Sequence, residues 1–160
     1  MEIKAPQKRI SRRALTVWKL ASMLHSIIIW VLGIGGVVAV NQFHWNKWLI
    51  GLILLIAILY SILFIIIIPN IRWKRWRYEV REQEIELQHG VFIIKRTLIP
   101  MVRVQHVDTI QGPLLRKYRL ATIRISTAAT VHHIPAIDMI EADRLRHSIS
   151  ALARVDEDDV

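Results

Sequence analysis

Two stretches of the chain, residues 20–40 and 48–68, contain no Asp, Glu, Lys or Arg. Each is about 20 residues, and at roughly 1.5 Å per residue such a helix matches the ~30 Å hydrocarbon core of a bilayer. The most polar interruption is His25, near the start of the first run, where a histidine at headgroup depth suffices to explain it. A water-soluble domain of this size has no way to cover two such helices, so the pattern defines an integral membrane protein. A cleavable signal peptide fits poorly, because the first run exceeds an h-region of roughly 7–15 residues and no A-x-A-type site follows it. Gly33, Gly35 and Gly36 instead offer the small surface that lets membrane helices approach closely.

Charge sets an expected orientation. Lys4, Lys8, Arg9, Arg12, Arg13 and Lys19 precede the first run against Glu2 alone, and Arg72, Lys74, Arg75 and Arg77 follow the second. The loop between the runs carries only Lys47. Basic flanks stay in the cytoplasm, so both termini are expected inside and the loop outside. Trp45 and Trp48 then fall at the outer interface, and Trp73 and Trp76 at the inner one. The two flanks account for the whole net charge of +9, and the rest of the chain is balanced. The basic character therefore belongs to the membrane boundary and not to a nucleic-acid surface.

The resulting organisation is a basic N-terminal segment (1–19), a transmembrane hairpin (20–68), a basic aromatic linker (69–77), a folded cytoplasmic domain (78–154) and an acidic tail (155–160) that reads as disordered. Within the domain the period changes to two. Residues 78–81 and 85–88 alternate, His89-Gly90 turns the chain, and 91–99 reads as a longer β-rich run ended by Pro100. Residues 102–105 and 107–110 form a further strand with a bulge, 114–120 a helical turn, and 122–127 and 131–134 another strand pair. Asp138 with Glu141 resembles a capping box, and Leu145, Ile149 and Leu152 give the following helix one apolar face. The fold class is two transmembrane α-helices followed by a small α+β domain, an antiparallel barrel or sandwich closed by a C-terminal helix.

Several segments carry a family resemblance: Gln88-His89-Gly90-Val91-Phe92, residues 99–107, Gln111-Gly112-Pro113-Leu114-Leu115-Arg116-Lys117-Tyr118 and residues 121–127. With the two helices and the Arg-Trp-Lys-Arg-Trp-Arg-Tyr juncture, the chain resembles the YdbS-like bacterial membrane proteins, which carry a bacterial pleckstrin-homology-like (PH-like) domain. The resemblance implies a PH-like split β-barrel capped by one helix, in a bacterial inner membrane. It also implies homo-oligomers or assembly with a related multi-domain PH-like membrane protein, and a role in envelope defence or antimicrobial resistance.

No nucleotide-binding, zincin or nucleophile-elbow motif is present. His132 and His133 are adjacent on a strand and point to opposite faces, which weighs against a metal site built from them with His106 and Asp108. Asp108, Ser126 and a histidine make a triad only by composition. With no cysteine, disulfides and thiolate chemistry are excluded. The expectation is a protein that is not an enzyme, with no cofactor, metal or nucleic-acid partner. Candidate lipid-headgroup residues are Arg72, Trp73, Lys74, Arg75, Trp76 and Arg77 in the linker, with Lys95, Arg96, Arg116, Lys117 and Arg119 in the domain. The Glu-rich stretch 79–86, where eukaryotic PH domains carry a basic phosphoinositide signature, argues against inositol-phosphate binding. Assembly of a membrane complex is the leading expectation, and anionic-lipid sensing the alternative.

Overall fold

The structure, a computed structural model, describes residues 6–158, so Glu2, Lys4 and the last residues of the acidic tail lie outside it. The chain divides into two compact units, one of residues 18–71 and one that combines the N-terminal segment up to Val17 with everything from Arg72 onward.

The first unit is helical. α1 (Arg13–Gln42) and a second helical run are each long and apolar enough to cross a membrane. The second run comprises α2 (Trp48–Ser61), a π-helical stretch (Ile62–Ile67) and α3 (Ile68–Arg75). Only 11% and 6% of their most apolar windows is buried within the chain, which is not how the core helix of a soluble protein behaves. A Cβ on Gly33 or Gly36 would meet the Ile53 side chain at 3.6 and 3.2 Å, so these two glycines allow the helices to approach. Gly35 has nothing within 4 Å and plays no such part. A polar knot ties the same helices. The Ser61 hydroxyl donates to the Ala57 carbonyl at 2.8 Å, which leaves its lone pairs to accept from Ser26 Oγ at 2.9 Å and Trp30 Nε1 at 3.1 Å. His25 Nδ1 lies 3.3 Å from its own helix's Ala21 carbonyl.

The second unit holds two antiparallel sheets. β1 (Lys8–Arg9), β2 (Arg77–Val80), β3 (Glu84–His89) and β4 (Lys95–Pro100) form one, in the order β1-β2-β3-β4. β5 (Val104–Ile110), β6 (Leu120–Thr127) and β7 (Val131–Asp138) form the other, in the order β5-β6-β7. The two sheets are separately hydrogen-bonded, so the expected split β-barrel is present as two sheets and not as a closed barrel. A short helix, α4 (Pro113–Lys117), links β5 to β6, and α5 (Met139–Asp158) packs on all three strands of the second sheet. Tyr78, Ile85, Leu87, Met101, Ile123, Ile125, Ile134 and Ile149 are fully buried between these layers. The register shift between Val104 and His106 is the bulge anticipated in this strand.

Four local expectations change. The N-terminal segment is not separate from the domain: Lys8 and Arg9 pair with Tyr78 and Arg77, and Ile10, Ala14 and Val17 are buried. Asp138 ends β7 and accepts from Arg13 Nη1 at 3.2 Å, while Glu141 accepts from the Tyr78 hydroxyl at 2.9 Å. These carboxylates tie the start of α5 to the first residue of α1 and to β2 instead of forming a capping box. α5 also runs on through Asp158, since nothing after Leu152 breaks a helix that adds one bond per residue. Finally, the strand expected from Val91 begins only at Lys95, and residues 90–94 form the turn.

That turn depends on Gly90. Its φ is +134°, and a Cβ there would stand 1.8 Å from the Ile93 carbonyl oxygen. Gly90→Ala is expected to cost about 2 kcal/mol or more through backbone strain. Gly112→Ala, at φ −77° with open space around it, should stay within about 0.5 kcal/mol of the parent. Thermal melts of the full-length protein in detergent measure both, and equal effects would refute the strained turn.

Candidate functional site

The linker residues are largely committed to the domain. Trp76 is 5% exposed and its ring stacks on His89 at 5.6 Å, so it is a core residue and not an interfacial ring. Trp73 Nε1 donates to the Ser11 carbonyl at 3.2 Å, with the Arg9 guanidinium 5.8 Å from its ring centre. Arg75 Nη1 donates to the Val91 and Phe92 carbonyls at 2.6 and 3.5 Å. Arg77 sits in β2 between Arg9 and Gln88. Arg72 and Lys74 are exposed.

The domain's basic candidates fall into two groups. Lys95 opens β4 close enough to His132 for its charge to depress that histidine's pKa. Arg96 reaches across the sheet to Glu86, donating from Nη2 at 2.7 Å and Nε at 3.1 Å. Glu86 is 8% exposed and also accepts from Arg81 Nη2 at 3.2 Å. Arg81 in turn binds Glu84 and Glu79, so three glutamates of the Glu-rich stretch are paired within their own sheet. Arg116, Lys117 and Arg119 lie on and just after α4, beside the Leu120 end of β6. His132 pairs with Ile125, five residues along β6 from Leu120, or about 17 Å at the strand rise. The two groups do not form one basic patch.

The histidines show the same division. His132 is 2.8 Å from the Thr130 hydroxyl, whereas His106 Nε2 is 2.9 Å from Asp108 Oδ1 on the exposed face of β5. Ser126 lies opposite His106 in the ladder, in mid-strand rather than on a nucleophile turn. Among the described residues, no three His, Asp or Glu side chains gather where they could share a metal ion.

Sequence reasoning missed a groove. It lies between the end of β4 and the β6–β7 turn, with a volume of about 620 Å³, and Leu98, Val102, Arg103, Gln105, Thr127 and His132 are among its lining residues. β4 is the edge of its sheet, and Leu98 and Val102 are more than half exposed. Val131, at the start of β7, is exposed as well. The available signal was Pro100, which is tolerated at sheet edges because it lacks an amide proton.

Two small antiparallel sheets are capped by a C-terminal helix and, β1 apart, follow two apolar helices long enough to cross a membrane. Residues 18–153 match the model of the bacterial PH domain, and the chain belongs to that family. It is 54% identical over 155 residues, 97% of this chain and 98% of the relative, to the UPF0699 transmembrane protein YdbS of Bacillus subtilis (strain 168). A second relative from the same organism, the UPF0699 transmembrane protein YdbT, is 27% identical over 99 residues, covering 58% of this chain and 20% of its own length. No solved structure matches the chain.

The surroundings of His89 generate a pH prediction. Burial lowers its pKa first, followed by the positive charges of Lys95 and Arg72 and by His132; His132 is lowered by burial, Lys95 and His133. Both are therefore neutral when folded at a pH where the unfolded chain, titrating near the ordinary value of about 6.5, already takes up protons. Their contribution to stability is complete above that pH and is lost as pH falls through the lower folded values. The melting temperature of the full-length protein should fall from pH 7 to pH 5, and less steeply in His89→Gln. An identical slope in the variant would refute the assignment.

Proposed function

We propose that this protein assembles a membrane complex, and that its two sheets act as an open PH-like split barrel whose open side receives a partner. The observation that carries this reading is the free edge of β4, with Leu98 and Val102 exposed beside the groove. An edge strand next to an apolar groove suits an added extended segment, whose backbone supplies hydrogen bonds while alternate side chains enter the groove. The occupant is a second PH-domain membrane chain. The likeness to YdbT, of which the matched segment is only a fifth, supports the availability of a longer relative for that role. A domain already held at the bilayer by two helices gains little from lipid as an anchor.

The protein is proposed to lie in the bacterial inner membrane with both termini cytoplasmic. The pairing of β1 with β2 supports the hairpin, since the segments before and after the apolar helices must then lie on one side. Anionic-lipid sensing through Lys95, Arg96 and the 116–119 turn has less support, because Arg96 is engaged by Glu86 and the two groups are separated.

Affinity purification of the tagged full-length chain from native membranes tests the reading. A PH-domain membrane protein should co-purify in near-equal amount and be lost from the Leu98→Glu/Val102→Glu variant, whose melting temperature should match the parent's. Recovery of the chain alone with enriched anionic lipid, or a partner indifferent to the substitutions, would overturn it.

A further inference from the structure

The most exposed apolar side chains of the domain are not in the groove. Phe92 is 86% and Ile93 84% exposed, with Ile94 beside them at 51%. They crown the turn between β3 and β4, which Gly90 makes tight enough to project them. A soluble surface gains nothing from three consecutive bared apolar residues at a hairpin tip, where a polar turn is the usual solution.

The turn's second feature is what holds it. Arg75 Nη1 donates to the carbonyls of Val91 and Phe92, so the guanidinium grips the backbone of the tip while leaving its side chains outward. Arg75 is the last residue of α3, the helix that continues the second apolar run. It stands seven residues beyond Ile68, about 10 Å along a helix. The headgroup layer on each side of a bilayer is roughly 5–8 Å thick, so this arginine belongs at its outer limit. Lys74 and Arg72 are exposed on the same segment, and Lys95 opens the strand that leaves the tip. An apolar crown with Arg75 and Lys95 at its base is the chemistry of a surface that enters the interfacial layer while its charges meet anionic headgroups.

We infer that Phe92, Ile93 and Ile94 form a wedge that inserts into the cytoplasmic interfacial layer of the same bilayer, and that Arg75 is the positioning residue that holds it there. The wedge adds orientation and not anchorage: it limits the domain's rotation about its two covalent attachments. It is independent of the β4 edge and does not rest on the partner-assembly reading.

The chain contains no cysteine, so single-site labelling is clean. Ile93→Cys and, separately, Phe92→Cys in the full-length protein are labelled with a polarity-sensitive fluorophore after reconstitution into vesicles of neutral and anionic phospholipid. Some vesicles carry lipids brominated on the upper acyl chain. Glu82→Cys, at the opposite end of β3, is the control. Both tip positions should emit to the blue of the control and lose intensity in brominated vesicles, and Arg75→Gln should reduce that loss. Water-like, unquenched emission at both positions would overturn the wedge. A blue shift without lipid quenching would also overturn it, because it would mean that a second protein copy covers the tip.

Discussion

The structure depends on a short piece of backbone pairing. Lys8 and Arg9 add a strand to β2, Ser11 donates to the Ala136 carbonyl in the other sheet, and Arg13 reaches Asp138 where that sheet meets α5. One N-terminal segment thus touches both sheets, and Ile10, Ala14 and Val17 bury apolar surface as it does so. Two membrane-length helices intervene in the chain between this segment and the strand it joins. The domain can close only when the residues on either side of the helical hairpin meet.

The electrostatics of the domain point inward. Glu86 collects Arg81 and Arg96, Tyr78 gives its hydroxyl proton to Glu141, and burial together with that carboxylate raises the phenol's pKa. Arg96, a lipid candidate by residue type, is used to hold β4 to β3. What faces outward and stays apolar is the β4 edge with its groove and, separately, the hairpin tip. One suits a protein segment and the other a bilayer, a reasonable division for a domain that must work beside a membrane.

The large features were legible in the sequence because each rests on a long run of one periodicity. Two apolar stretches of about 20 residues cannot be mistaken for β-strands, and of the helix face that the spacing of α5 predicts, Leu145 and Ile149 are buried and Leu152 half-buried. Features set by tertiary contact were not. β1 is two residues long, too short to show any period. Residues 91–94 have strong β-propensity, yet Gly90 turns the chain and Arg75 takes two of the loop's carbonyls. Trp76 has the composition of an interfacial aromatic, but the ring of His89 covers it. Asp138 and Glu141 have cap spacing, while partners more than 60 residues away claim their carboxylates. The lipid-candidate arginines were found by residue type alone, which says nothing about whether a glutamate stands opposite.

The claim that most needs a direct measurement is that the segments before and after the helices share one compartment, the cytoplasm. Single cysteines at Gln42, the last residue of α1 beside the loop between the helices, at Lys8 in β1 and at Glu82 in the β2–β3 turn can be probed in intact cells with a membrane-impermeant maleimide. Gln42→Cys should label from outside, while Lys8→Cys and Glu82→Cys should label only after the membrane is opened. Labelling of Lys8→Cys and Glu82→Cys from opposite sides would contradict the account, because β1 and β2 could not then pair.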